Sequence, residues 1–218
     1  MMKTRLLIAD DHTIIRKGLA RIIADTDDLI VVGEACDGNE ALALVRDDEL
    51  NLDLVVLDLS MPGRNGVDLI KLIKAERPKL PILIFSMHAE EQFAVRAIRA
   101  GATGYLTKEC DSDLILPAIR KAAAGGIFVS QKVTELLISD FSRNADAPPH
   151  NLLSDREFEV FSRLVRGASL SHIANEFSLS VKTVSTHKTH VLNKMKLSSE
   201  ADLVRYAIEH NLLNLDRE

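Results

Sequence analysis

Through the first 124 residues, short and nearly unbroken apolar runs alternate with segments whose apolar residues return every three or four positions. The first pattern predicts buried strands and the second predicts amphipathic helices. Residues 5–9 read as a strand, and Ile14, Ile15, Gly18, Leu19, Ile22 and Ile23 follow at helical spacing. A second strand at 30–35 precedes Asp37-Gly38 and a helix carrying Ala41, Leu42, Leu44 and Val45. The third run, Val55-Val56-Leu57, ends in Asp58, and Pro62 and Gly63 forbid the strand to continue. Gly66 precedes a helix with Val67, Ile70 and Ile73. Residues 82–85 lead to Ser86, and Phe93, Ala94, Ala97 and Ile98 mark the next helix. Residues 103–107 end at Lys108, after which Asp111 or Ser112 can cap a helix bearing Leu114, Ile115, Ala118 and Ile119.

Five strand–helix repeats with near-continuous apolar strands predict an α/β domain, a five-stranded parallel sheet covered by helices on both faces. The expected strand order is 2-1-3-4-5, flavodoxin-like, with a site at the carboxyl ends of the strands. The pattern changes after Gly125-Gly126. Residues 130–141 predict a short helix with Val133, Leu136, Leu137 and Phe141 on its apolar face, and 142–150 (SRNADAPPH) reads as a flexible linker. Beyond it the helical period returns alone, predicting a small all-α domain of four helices. Ser154 and Glu157 form a capping box ahead of Phe158, Phe161, Leu164 and Val165, and Gly167 stops that helix. Ser171 opens a second helix with Ile173, Ala174 and Phe177, and Ser178-Leu179 make a tight turn. Ser180 caps a third, whose buried side is expected at Val181, Val184, Val191, Leu192 and Met195. Ser198 or Ser199 opens a fourth with Leu203, Val204, Ala207 and Ile208. The expected division is therefore 1–124, a connecting segment 125–150, and 151–218.

Composition sharpens this picture at one point. The chain has 218 residues, 46% hydrophobic and 27% charged, an ordinary globular balance. No apolar run reaches the length of a membrane span and no signal-peptide pattern opens the chain, so the cytoplasm is the expected location. Cys36 and Cys110 have no metal-ligand spacing. The formal net charge of −5 looks wrong for a nucleic-acid binder. By region, however, residues 1–124 carry 16 Lys+Arg against 20 Asp+Glu, while 151–218 balance at 9 against 9. Residues 180–196 hold four lysines, two histidines and no acid, so the average conceals a basic segment.

The strand ends gather Asp10 and Asp11, Asp58, Ser86 and Lys108. Crowded carboxylates resist ionisation unless a cation compensates, and an all-oxygen, strongly anionic set suits Mg²⁺. Lys108 offers a point charge and Ser86 a hydroxyl to a phosphoryl group. A carboxylate beside a metal and a lysine can attack phosphorus and become an aspartyl phosphate. Taken singly, Asp10-Asp11 fits a helix cap and Lys108 a solvated lysine. Their joint placement at successive strand ends favours phosphoryl chemistry. With these residues, LDLSMPGRNG around Asp58 and GATGYLTK before Glu109, residues 1–124 resemble the receiver domain of response regulators. The resemblance implies that Asp58 accepts a phosphoryl group from a sensor histidine kinase. It also implies Mg²⁺ held by Asp11, Asp58, the backbone carbonyl of Ser60 and, through water, Asp10. Ser86 and Tyr105 match the family's switch pair, in which the hydroxyl moves toward the phosphate and the ring turns inward. Ser86 stands where threonine is common, and Glu109 where many receivers have proline.

The helix–turn–helix predicted at about 171–195 is the geometry that sets a second helix in the major groove of DNA. The exposed positions of that helix carry Lys182, Ser185, Thr186, Lys188 and Thr189, able to reach phosphates and base edges. LLSDREFEV and SHIANEFSLSVKTVSTHKTHVLNKMKL resemble the LuxR-type helix-turn-helix. With the receiver this is the NarL/FixJ arrangement, a two-component transcription regulator rather than an enzyme. By position, Ser185, Thr186 and Thr189 are the expected base-facing residues, and Lys182, Thr183, His187 and Lys188 the expected phosphate contacts. The resemblance implies pairing through the helix at about 199–210, giving a homodimer on DNA, with RNA polymerase a candidate partner and no membrane. Two rivals stand beside this reading. An aspartyl-phosphate enzyme uses the same acids and metal, but the sequence has no substrate-sized insertion and the second half would be idle. A constitutive DNA-binding protein with a phosphorylation-independent first domain need not keep all five strand-end residues.

Overall fold

In the computed structural model, residues 3–61, 66–87, 90–142, 148–177, 179–210 and 212–213 are described, with side chains left aside at 90–92 and 139–142. The chain divides into two compact units, 1–138 and 139–218. In the first, strands β1 (Thr4–Ala9), β2 (Leu29–Ala35), β3 (Leu54–Leu57), β4 (Ile82–Ser86) and β5 (Gly104–Thr107) form one sheet in the order 2-1-3-4-5. All four pairings are parallel. Helices α1 (Thr13–Ala24), α2 (Gly38–Arg46), α3 (Gly66–Glu76) and α4 (Glu90–Arg99) fill the four crossovers, and α5 (Ile115–Ala123) and α6 (Gln131–Ser142) follow the last strand.

The sheet is buried on both faces because its strands alternate two apolar sets. Leu6, Ile8, Leu54, Val56, Leu83, Phe85 and Leu106 pack with Leu19 and Ile23 of α1 and with Ile115, Ala118, Ile119 and Ala122 of α5. Their strand neighbours Leu7, Val55, Leu57, Ile82, Ile84 and Tyr105 are also buried, as are Ala41, Leu42, Val45, Ile70, Ile73, Phe93 and Ala97 of α2, α3 and α4. On β5 the next segment runs close alongside, because Tyr105 N–H donates to Phe128 O (2.9 Å) and Phe128 N–H to Thr103 O (3.0 Å). Gly104 is required there: a Cβ would meet Leu83 Cδ1 and Phe128 O, both at 2.8 Å.

Several local expectations are corrected. Neither Asp111 nor Ser112 caps α5: Asp111 makes no side-chain cap bond, and the chain enters the helix through a 3₁₀ turn at Ser112–Leu114. On α6, Val133 is buried and Leu136 and Leu137 are half-buried; Phe141's side chain, like Pro62 and Gly63, lies outside the described residues.

In the second unit, α7 (Asp155–Val165), α8 (Leu170–Glu176), α9 (Val181–Met195) and α10 (Glu200–Glu209) each begin at a serine cap. Ser154 and Glu157 form the full capping box of α7. The cap of α8 is Ser169, not Ser171: its side chain accepts from His172 N–H, and the helix starts a residue later. Ser199 caps α10 and accepts from Asp202 N–H. The core joins Phe158, Phe161, Leu164 and Val165 to Ile173, Ala174, Phe177, Val184, Val191, Met195, Leu203 and Ala207. Val181, expected inside, is 47% exposed, because the first turn of α9 projects beyond the helices it packs on. Ile208, expected inside on α10, is likewise exposed, and Leu192 is half-buried. Ser178 lies outside the described residues.

Candidate functional site

Strand register builds the site. Ala9 pairs with Leu57, so Asp10 and Asp58 emerge side by side, and Asp58 N–H donates to Ala9 O at 2.8 Å. Ser86 pairs with Thr107, and Lys108 N–H donates to Ser86 O at 2.9 Å, which levels Lys108 with the acids. Asp10 (2% exposed), Asp58 (1%) and Ser86 are buried, while the Asp11 side chain is 31% exposed. Lys108 Nζ lies 2.8 Å from Asp58 Oδ2, to which it donates, and 2.7 Å from Asp10 Oδ2.

Electrostatics follows from that packing. Burial, with the charge of Asp10 behind it, pushes the Asp58 carboxyl above its ordinary range against the pull of Lys108. Burial works against the Lys108 ammonium, but its contacts with Asp10 and Asp58 prevail and raise its pKa. The remaining acid oxygens lie against cationic or ring nitrogens, Asp10 Oδ2 at 2.7 Å from the Lys108 ammonium and Asp11 Oδ1 at 2.8 Å from His12 Nδ1. Three clustered carboxylates facing a single ammonium are a hard-oxygen donor set that a divalent cation suits. Ligand atoms of Asp10, Asp11, His12 and Asp58 all lie within 4.8 Å of one another. Ser60 N–H donates to Asp58 Oδ1 at 3.2 Å, turning the backbone just past the strand toward the acids. Tyr105 is fully buried in β5.

The sequence reading missed the frame that holds Asp10. His12 N–H donates to Asp10 Oδ1 (2.8 Å), and the His12 ring lies 2.8 Å from Asp11 Oδ1. Arg16 Nη1 donates to the Asp10 carbonyl at 2.6 Å and its Nε lies 3.4 Å from Glu34. The available signal was spacing: His12 and Arg16 are one helical turn apart, directly behind the strand end.

In the second unit, Lys182, Ser185, Thr186 and Thr189 are exposed on α9, whereas Thr183, His187 and Lys188 are half-buried. Thr183 exchanges a hydrogen bond with the Ser180 cap. Burial lowers the His187 pKa, with Arg156 adding to it. The basic stretch is also less free in space than in sequence. Lys188 pairs with Glu200 of α10, and Lys194 donates to the buried Glu157 of α7 at 2.6 Å. Among the described residues Lys182 has no ion-pair partner.

The comparisons fall on these two units. The response regulator receiver domain matches residues 6–120, and the luxR family of bacterial regulatory proteins matches 151–207. The oxygen regulatory protein NreC of Staphylococcus carnosus (strain TM300) is 35% identical over 217 residues, covering 96% of this chain and 99% of its own. NreC of Staphylococcus aureus (strain MRSA252) is 36% identical over 216 residues, with coverage of 96% and 99%. Among solved structures, the Salmonella typhimurium RcsB response regulator is 25% identical with a TM-score of 0.71, covering 96% of this chain and 98% of its own. RcsB from Salmonella enterica serovar Typhimurium, bound to promoter rprA with the phosphomimetic BeF₃⁻, is 26% identical with a TM-score of 0.67, covering 94% and 98%. The chain thus belongs to the two-component response regulators of the NarL/FixJ family, transcription regulators that join a receiver domain to a LuxR-type DNA-binding domain.

Proposed function

We propose that Asp58 is the phosphoacceptor and that its phosphorylation by a sensor histidine kinase governs DNA binding by the second unit. The observation that carries this is the contact of the buried Asp58 with Lys108 beside the clustered carboxylates of Asp10 and Asp11. An Asp58 carboxylate oxygen attacks phosphorus, a P–O bond forms, and the bond to the donor's histidine nitrogen breaks. Lys108 neutralises charge on the phosphoryl oxygens, and Ser86 turns its hydroxyl toward them. Asp10, Asp11, Asp58 and the Ser60 carbonyl would hold Mg²⁺, whose chemistry is to neutralise the acids and bind a phosphoryl oxygen. His12 and Arg16 fix Asp10, so the acids stay together when the phosphoryl group arrives. Tyr105 pairs with Ser86 as the switch, and its buried ring is the inward position the family associates with activation.

The output side is α9. Its exposed Ser185, Thr186 and Thr189 face base edges, and Lys182, Thr183, His187 and Lys188 contact phosphates. The working division is a receiver at 1–124, a connecting segment at 125–150 and a DNA-binding domain at 151–218. Phosphorylation shifts an existing equilibrium toward a homodimer that binds DNA, with RNA polymerase as a further partner. The RcsB structures described as two dimers on two parallel DNAs support a dimeric bound form. Among the described residues no helix is long and apolar enough to cross a membrane, in keeping with the cytoplasmic location we assign.

Acetyl phosphate with Mg²⁺ tests the acceptor. An acid-stable but base- and hydroxylamine-labile acyl phosphate on the peptide holding Asp58, absent in Asp58→Ala, is the expected result. Modification at another residue, or none, overturns the assignment.

A further inference from the structure

Between Lys182 and Asn193, the exposed face of α9 holds none of the side chains that usually read bases in pairs of hydrogen bonds. Bidentate readers of guanine and adenine are arginine, lysine, asparagine and glutamine. The face carries Lys182, Ser185, Thr186 and Thr189, and the first amide along it is Asn193, nearly two turns beyond Thr186. Lys188 and Lys194 are engaged by Glu200 and Glu157. The two threonine hydroxyls are engaged as well. Thr186 Oγ1 donates to Lys182 O at 3.0 Å, and Thr189 Oγ1 donates to Ser185 O at 3.0 Å. A hydroxyl that gives its only proton to its own helix keeps acceptor lone pairs, and what the exposed side chain otherwise offers a partner is its methyl group.

Threonine methyls pack on the C5-methyl of thymine, the one apolar group on a base edge in the major groove. We infer that Thr186 and Thr189 specify thymine by methyl–methyl contact, so that the operator carries thymines where these two residues face it. Ser185, whose hydroxyl has no partner among the described residues, adds an adaptable hydrogen bond, and Lys182 anchors a phosphate. This rests on the proposal that the second unit binds DNA through α9. It deepens that proposal by naming the base feature that is read.

The test uses the full chain with Mg²⁺ and beryllofluoride, and a pool of duplexes with a randomised core. The enriched duplex is then made in two forms, with thymine and with deoxyuridine, which lacks only the C5-methyl. Affinities are compared for the native chain, Thr186→Ser and Thr189→Ser (hydroxyl kept, methyl lost), and Thr186→Val and Thr189→Val (methyls kept, hydroxyl lost). Valine matches threonine in shape and β-branching, so helix formation is little altered. The native chain should lose about fourfold per contacted methyl on deoxyuridine, the equivalent of ~0.8 kcal/mol for one buried methyl-sized group. Each serine variant should lose as much on the thymine duplex and nothing further on deoxyuridine, while the valine variants bind like the native chain. Equal binding to the two duplexes, or loss in the valine variants with none in the serine variants, overturns the inference and leaves α9 as the reader by other contacts. Failure to enrich any duplex instead overturns the underlying assignment of α9 to DNA.

Discussion

Lys108 and Asp58, fifty residues apart, meet at 2.8 Å with each side chain at most 2% exposed. Removing one partner of a buried ion pair leaves an uncompensated charge, and here Lys108 serves two acids at once. Lys108→Met should therefore cost about 3–5 kcal/mol of receiver stability without metal. Part of that loss should return on adding Mg²⁺, which replaces the missing positive charge. Chemical denaturation midpoints with and without Mg²⁺ check both statements, and a loss that Mg²⁺ does not relieve would argue for simple packing damage.

Asp58 itself carries the opposite expectation. Its pKa is raised in the folded state, so the ionised carboxylate is disfavoured there and costs stability once pH exceeds that pKa. Asp58→Asn, which keeps an acceptor for Lys108, should raise the melting temperature of the metal-free protein at neutral pH by roughly 2–4 °C per kcal/mol relieved. The gain should shrink as pH falls through the raised pKa and vanish below the ordinary carboxylate range. Calorimetry across that range provides the measurement.

The sequence made the acids and Lys108 legible because each terminates an apolar run, and strand register in a parallel sheet levels such ends. The frame formed by His12 and Arg16 was not legible, since Arg16 reaches back to a backbone carbonyl that no residue pattern announces. Helix starts were readable only to the nearest good cap: Ser169 and Ser171 both qualify chemically, and the extended backbone at Ser169 decides. Val181 failed because helical period marks a face, not how far along that face the neighbouring helices extend. The acid-free stretch 180–196 was correct as sequence, yet Glu157 and Glu200 reach it from α7 and α10.

Glu157 joins the capping box of α7 to Lys194 of α9, and these bonds outweigh burial and lower its pKa. A depressed folded pKa contributes stability above the unfolded value, lost as pH falls through the folded one. The second unit should therefore weaken below about pH 4.3, the ordinary glutamate value. Glu157→Gln, which keeps the capping box because glutamine also accepts from the Ser154 N–H, should lower stability at neutral pH by about 0.5–1 kcal/mol through the lost charge pairing with Lys194, and flatten this acid limb. Circular dichroism melts at stepped pH on the full chain resolve it.

Gly104 makes a steric prediction. In Gly104→Ala the new Cβ meets Leu83 Cδ1 and the Phe128 carbonyl at 2.8 Å, and the carbonyl belongs to backbone that cannot turn aside. Overpacking of this kind costs about 1–3 kcal/mol. The damage should appear in hydrogen exchange at Tyr105 and Phe128, whose N–H groups make the paired bonds there.

The central claim is that phosphorylation at Asp58 controls the DNA-binding half. The most direct measurement combines molecular mass and binding to a pool of genomic DNA fragments, for the full chain with Mg²⁺ and beryllofluoride. The account predicts a rise in both that requires Mg²⁺ and disappears in Asp58→Ala. Unchanged mass and unchanged DNA binding, with the phosphate mimic shown to occupy Asp58, would contradict it.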